Sequence, residues 1–401
     1  MYDDERMTTR TPAQASPAAA LKIAWRIKPR QYESDEQFKR LLDLFKSYRT
    51  VVNEIALFLG DADTWHAYEP LVSFAAKAER VGKRLRQFKA EGFENIGINI
   101  WPTFGSEGAP GVDIRPALPF QPMVGYDGRK GHSTACVNTP EFNAYLRERF
   151  ALAAQQHPDF IWIDDDCRMT HLGLPYPCFC DTCLSLFDNG RWNSREDLVA
   201  ALNAPENTDL RRRRIEFNAA GLERLVTGLR RAIHDVDAGI DVGWMTVGPT
   251  HSTYSGTYIN RCGKAIGGRR ARPGHGFYWD EKARELIFKM LEVGRQVREY
   301  PQNLVDIQYE YEDHPGTVLD KSVQIVADEF AGALISGCNG VAVNTMHSGV
   351  GSLEELVPLL ERLSEERPGW EALVKAAAAL PQVMSWRRSI RPPVNDTRCS
   401  R

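Results

Sequence analysis

The chain has 401 residues, 43% hydrophobic and 26% charged, the balance of an ordinary soluble globular protein. At roughly 100–200 residues per domain this length admits two or three domains, or one α/β barrel. Fifty basic against 53 acidic residues give a net charge of −3, which argues against nucleic acid as a partner, and no apolar run reaches the roughly 18 residues of a membrane span.

Met1–Ala20 mixes acids, Thr and Pro, unlike a signal peptide, and reads as a disordered tail. From Leu21 onward short β-rich runs alternate with longer helical patterns. Strands are expected at Leu21–Ile27, Val52–Phe58, Asn95–Trp101, Phe160–Asp164, Ile240–Val247, Gly276–Trp279, Leu304–Glu310 and Gly340–Asn344. Phe160–Ile163 and Val341–Val343 are continuous apolar runs, as parallel strands buried on both faces require. Between the strands lie helical stretches such as Asp35–Ser47, Leu71–Ala90, Pro140–Gln156 and Arg211–Val236; in the last, Ile215, Ala219, Leu222, Leu225 and Leu229 recur at a helical period. Eight strands with crossover helices predict an α/β fold, a (β/α)8 TIM barrel, over residues 21–384. The Arg- and Pro-rich segment 385–401 reads as an exposed C-terminal tail. Long insertions after strands 3, 4 and 5 would emerge at the C-terminal mouth, where barrel enzymes build their sites.

Three groups of residues carry chemistry. Cys178, Cys180 and Cys183 have the spacing of a zinc site, and a fourth thiolate would close a tetrahedral, structural centre. Cys136 in the preceding loop and Cys167 after strand 4 are the candidates for that ligand. The eight cysteines are far too few for a disulfide scaffold, and a cytoplasmic location follows as an expectation. Asp164, Asp165 and Asp166 end the apolar run of strand 4; adjacent carboxylates repel, so a strand end shaped only by stability rarely carries three. Regular alternation would put Asp164 and Asp166 on one side and Asp165 on the other. In strand 7 the same alternation turns Asp306, Gln308, Glu310 and Glu312 toward the barrel axis. Asp306, the deepest, is open to a structural reading, satisfied by arginines inside the barrel. Carboxylates facing one another from strands 4 and 7 are what glycoside hydrolysis needs, and aromatic residues suited to sugar faces, among them Trp101, Tyr278 and Trp279, lie at the same strand ends.

These segments resemble family 42 glycoside hydrolases, the β-galactosidases of that group. Cys136-Val137-Asn138-Thr139-Pro140 is similar to the family's Cys-x-Asn-Ser-Pro segment, Asp164-Asp165-Asp166 stands where the family has Asp-Asn-Glu, and Cys178, Cys180 and Cys183 repeat its Cys-x-Cys-x-x-Cys loop. Glu312-Asp313-His314-Pro315-Gly316 looks like the nucleophile segment Glu-x-x-Pro-Gly. The resemblance implies a structural zinc on Cys136, Cys178, Cys180 and Cys183, within a loop insertion spanning about 131–190. It also implies Glu312 as nucleophile, Asp166 as acid/base, and Asp165 in the place of the Asn that holds the sugar 2-hydroxyl; Glu310, on the same face of strand 7, is the reserve nucleophile.

The expected protein is a divergent glycosidase-like barrel without the family's C-terminal domains, acting on a carbohydrate, retaining in stereochemistry, with homo-oligomerisation open. Asp164, Arg26 at the end of strand 1, Asn344, Trp279 and His275 complete the expected substrate contacts. Asp for Glu and Asp for Asn at the acid/base step motivate the alternative, a carbohydrate-binding barrel without catalysis. An added charge at Asp165 would also raise the pKa of one of the neighbouring acids.

Overall fold

The computed structural model describes residues 21–60, 65–107, 117–169, 174–248, 258–313, 320–345 and 353–379. The expected tails, the last residues of the barrel segment, and His314, Pro315 and Gly316 lie outside these. The apolar strand runs form a closed parallel barrel of eight strands: β1 (Lys22–Ile27), β2 (Glu54–Leu59), β3 (Ile96–Ile100), β4 (Phe160–Ile163), β5 (Asp241–Val247), β6 (Arg270–Gly274), β7 (Asp306–Glu312) and β8 (Gly340–Asn344). Each strand pairs with its chain neighbours, and β8 closes on β1 with Lys22 opposite Gly340 and Trp25 opposite Val343. Helices cross between the strands, and the predicted (β/α)8 barrel is the observed fold.

Alternation explains why these runs pack as they do. Ile23, Trp25, Ile55, Leu57, Ile98, Ile161, Val242, Tyr309 and Val341 point outward into one large core shared with the helices. A second, smaller cluster of Ala56, Phe160, Trp162 and Met245 belongs to the inward-facing set and fills the barrel interior, as layered side chains do in this architecture. Below it, Arg270 lies 4.0 Å over the Phe160 ring. Among the described residues no helix is long and apolar enough to cross a membrane.

One strand departs from expectation. The sixth lies at Arg270–Gly274, not at Gly276–Trp279. Its sequence, Arg-Ala-Arg-Pro-Gly, lacks an apolar signature because two of its inward positions are arginines that meet acids from other strands. Between β3 and β4 a hairpin of Pro122–Val124 and Lys130–Ala135 projects from the mouth and delivers Cys136.

Candidate active site

The cleft at the C-terminal mouth is lined by Arg26, Asp164, Asp165, Asp166, Glu310, Glu312 and Asn344, together with Lys28, Phe58, Trp65, Trp101, Arg168, Arg272 and Tyr278. Strand 4 ends at Ile163, and the Cys167 amide donates to the Asp164 carbonyl at 3.2 Å, so the chain turns through the three acids. Alternation therefore stops one residue earlier than expected, and all three side chains border the cleft.

Their partners differ sharply. Asp164 Oδ2 accepts from Arg26 Nη2 at 2.8 Å and Asn99 Nδ2 at 2.7 Å, while Oδ1 caps the Asp165 amide at 2.7 Å. Asp165 Oδ2 accepts from Arg272 Nη2 at 2.6 Å and Oδ1 from Arg168 Nη1 at 3.1 Å. Burial works against the Asp165 charge, but the guanidinium groups of Arg272 and Arg168 prevail and hold its carboxyl below the usual range. Asp166 turns back toward the loop after β3, where Oδ2 accepts the amides of Thr103, Phe104 and Gly105 at 2.7, 2.8 and 3.0 Å. Gly105, at φ +81° with no room for a Cβ beside the Ser133 carbonyl, lets the three N–H groups converge. Asp166 Oδ1 is buried without a hydrogen-bond partner. Burial, then the charge of Asp164, push this carboxyl up to about 7 against the pull of the amides. Of the neighbouring acids it is thus Asp166 that is raised, with Asp164 contributing more than Asp165.

Strands 6, 7 and 8 complete the mouth. Arg272 Nη1 donates to Glu310 Oε1 while its Nη2 holds Asp165, so one guanidinium bridges β4 and β7. Glu310 Oε2 reaches the space where Gly274 has no side chain; a Cβ there would lie 2.2 Å from it. Burial pushes Glu310 up to about 7 against Arg272, and the Glu312 charge adds to the rise. The register sets Asn344 of β8 opposite Glu312, and Asn344 Nδ2 donates to Glu312 Oε1 at 2.5 Å. Glu312 is half-buried, at the strand end. Lys28 Nζ sits 3.6 Å from the Phe58 ring centre and 4.5 Å from that of Trp101, an aromatic floor on the opposite wall.

Of the expected site residues, the structure gathers Arg26, Asp164, Asp165, Asp166, Glu310, Glu312 and Asn344 at one cleft. Trp279 and His275 are not among its lining. Trp279 packs on Tyr278, ring centres 6.1 Å apart, and under Lys282. His275 is lowered by burial and feels Glu292, Lys289 and Glu285, which places it toward helix Arg284–Glu299. Sequence reasoning missed Arg272 and Lys28. The inward spacing of Arg270 and Arg272 was the available signal for the first; nothing in the sequence marks Lys28.

The cysteines form a second centre beside the mouth. The Sγ atoms of Cys136, Cys178, Cys180 and Cys183 all lie within 4.8 Å of one another and are buried; Cys167, the other candidate ligand, is not in this group. A tetrahedral zinc with bonds of about 2.3 Å has sulfur–sulfur edges of about 3.8 Å, so the donor set fits that ion. The surroundings suit thiolates: Asn138 Nδ2 donates to Cys183 Sγ at 3.3 Å, the Val124 amide to Cys178 Sγ at 3.4 Å, and the Arg214 guanidinium donates to the Cys178 carbonyl. Hydrogen bonds among the four thiols hold Cys183 well below its ordinary value and lower Cys180, while hydrogen bonds to the other three thiols push Cys136 up and burial pushes Cys178 up.

No family model matches the chain, and no curated protein matches it. Solved structures do. A β-galactosidase from the psychrophilic Marinomonas ef1 superposes with a TM-score of 0.60 at 12% identity, covering 90% of this chain and 62% of its own. A GH42 β-galactosidase gives 0.54 at 12% identity, covering 90% and 57%. The PgaB (BpsB) glycoside hydrolase domain from Bordetella bronchiseptica gives 0.54 at 14% identity, covering 90% and 100%. The likeness is one of fold. The chain is a divergent barrel similar to those of glycoside hydrolases, and it spans about 60% of the length of the two β-galactosidases.

Proposed function

We propose that the chain is a glycosidase that cleaves O-glycosidic bonds with paired carboxylates from β4 and β7 and retains configuration. The observation that carries this reading is the single guanidinium of Arg272 joining Asp165 and Glu310. It brings acids from two separate strand ends to one level of the mouth, with Glu312 at the outer end of the same strand face. In the proposed reaction Asp166, protonated, donates to the leaving glycosidic oxygen while Glu312 attacks the anomeric carbon. Water then releases the sugar as Asp166 takes its proton back. Glu310, pushed up by burial, is the reserve. Arg26, Asp164, Asp165 and Asn344 would hold sugar hydroxyls, and a β-galactoside is the first substrate to try. Cys136, Cys178, Cys180 and Cys183 would hold a structural Zn²⁺ whose four positions are filled by thiolates, leaving none for substrate. Reduced buried thiols of this kind suit the cytoplasm.

A panel of aryl glycosides tests the reading, with Glu312→Gln and Asp166→Asn beside the parent chain. Turnover by the parent and its loss in both variants supports it; full activity in both overturns it. One observation favours a second reading, a sugar-binding barrel without catalysis. Asp166 Oδ2 is taken up by three backbone amides and Oδ1 is buried, which leaves the acid/base position little exposed. Calorimetric sugar binding without turnover would select it.

A further inference from the structure

Behind β7, on its helix-facing side, lies a buried ionic cluster that the proposed reaction does not use. Lys321, just before helix Val323–Ile335, donates from Nζ to Glu329 Oε2 at 2.8 Å. Lys289 of helix Arg284–Glu299 donates to Glu329 Oε1 at 3.3 Å, and the Tyr309 hydroxyl donates to the same oxygen. All three charged side chains are fully buried. Removing an ion from water costs several kcal/mol even after relaxation, and here two ammonium groups share one carboxylate. Stability alone gives little reason for such an arrangement.

Of the two lysines, Lys321 is the one bonded to the strand end that carries Glu312, while the Lys289 charge acts on Glu310 from behind. Lys321 Nζ also donates to the backbone carbonyl of Glu312 at 3.1 Å, and it is wedged 4.5 Å from the Phe277 ring centre and 4.6 Å from that of Tyr311. The residues around Glu312 are fixed as well. Thr345 Oγ1 donates to Asp313 Oδ2 at 2.6 Å, and Asn344 Nδ2 holds the Glu312 carboxylate at 2.5 Å. On the β6 side, the register between β6 and β7 runs from Arg270↔Asp306 to Ala271↔Ile307, well short of Glu312. The outer end of β7 is therefore anchored by β8 on one side and by Lys321 from behind.

We propose that Lys321 is a positioning residue for Glu312, fixing the backbone of the strand end through a carbonyl bond that Glu329 braces. The inference rests on the reading of Glu312 as a reacting carboxylate. A displacement of about 1 Å in a reacting group can cost about 10²-fold in rate, so a group that pins the carbonyl bears on catalysis without touching substrate.

Lys321→Met and Lys289→Met separate this role from simple stability, since each removes one ammonium from Glu329 and only the first frees the Glu312 carbonyl. The expected result is a kcat lower by about 10²-fold for Lys321→Met with KM within about twofold, and a kcat within about twofold of the parent for Lys289→Met. If Lys321→Met fails to fold, Lys321→Gln, neutral and too short to span both partners, replaces it with the same expectation. Equal losses in the two lysine variants, or no loss in either, overturn the proposal. Crystal structures of both variants supply a readout independent of turnover. The Asn344–Glu312 bond of 2.5 Å should open in the Lys321 variant and persist in the Lys289 variant; an unmoved Glu312 in the Lys321 variant also overturns the proposal. Absence of turnover in the parent chain would instead defeat the glycosidase reading, and the crystallographic comparison would still decide the positioning role.

Discussion

At the N-terminal end of the barrel, Asp306 is bonded to Lys22 and lies 3.5 Å from Arg270; Glu54 meets Arg270 at 2.7 Å and Lys22 at 3.5 Å; Asp241 meets Arg270 at 3.0 Å. Two cations thus serve three acids, each directly. At the C-terminal end the barrel presents another set, arranged differently. Asp166 is held by backbone amides and Glu312 by the neutral amide of Asn344, while Asp166 Oδ1 and Glu310 Oε2 are buried without hydrogen-bond partners. Between the two lies the apolar layer of Phe160, Trp162 and Met245. Acid content alone therefore does not mark function: every acid of the floor meets a cation, whereas at the open mouth Asp164, Asp165 and Glu310 meet arginines but Asp166 and Glu312 are held by neutral groups, and Asp166 and Glu310 are raised, as groups at catalytic sites are.

If the two ends differ in this way, Glu312→Gln should lower aryl-glycoside turnover by at least about 10³-fold and Asp166→Asn by about 10²–10⁴-fold. An Asp306→Asn change at the floor should leave kcat alone. Next in size is a matched pair of arginine variants. Arg270→Met and Arg272→Met each strand buried acids and should each cost about 3–5 kcal/mol in urea unfolding, but only Arg272→Met should also change the pH–rate profile, because only it releases Asp165 and Glu310. Equal kinetic effects from both would erase the distinction between the two ends.

Metal content gives a check outside both ends. Elemental analysis should find about one zinc per chain, lost in Cys178→Ser with a lower melting temperature and no change in the Asp166-dependent pH profile. The smallest effect concerns pH. Asp166 is raised to about 7 in the folded chain from about 3.9 unfolded. Between those values the folded state keeps a proton that the unfolded state has lost, so this group's contribution to stability falls as pH rises from about 4 to about 7 and is level above that. Urea midpoints across this range should decline less in Asp166→Asn than in the parent; identical slopes would remove the raised acid from the account.

Much of this was legible in the sequence. Continuous apolar runs at β4 and β8 and the alternation of β7 marked the barrel, and the inward set of Gln308, Glu310 and Glu312 follows from period two alone. The structural role weighed for Asp306 is the one the ion pairs with Lys22 and Arg270 reveal. Cysteine spacing together with the loop resemblance named all four members of the sulfur cluster. Two things were hidden for physical reasons. An inner barrel face that carries arginines does not read as a strand, so β6 was sought in the aromatic segment that follows it, and Arg272 went unseen. The bend after Ile163 also defeated alternation, because a strand period holds only while the backbone stays extended; the partners of Asp166 come from a loop some sixty residues earlier.

Whether Glu312 attacks a sugar at this mouth can be read by trapping. The parent chain is incubated with an activated 2-deoxy-2-fluoro glycoside of whichever aryl glycoside it turns over fastest, followed by intact mass and peptide mapping. A single glycosyl adduct on Glu312, formed in the parent and in Asp306→Asn and absent from Glu312→Gln, is the predicted result. Turnover with no adduct, or an adduct on another carboxylate, would contradict it.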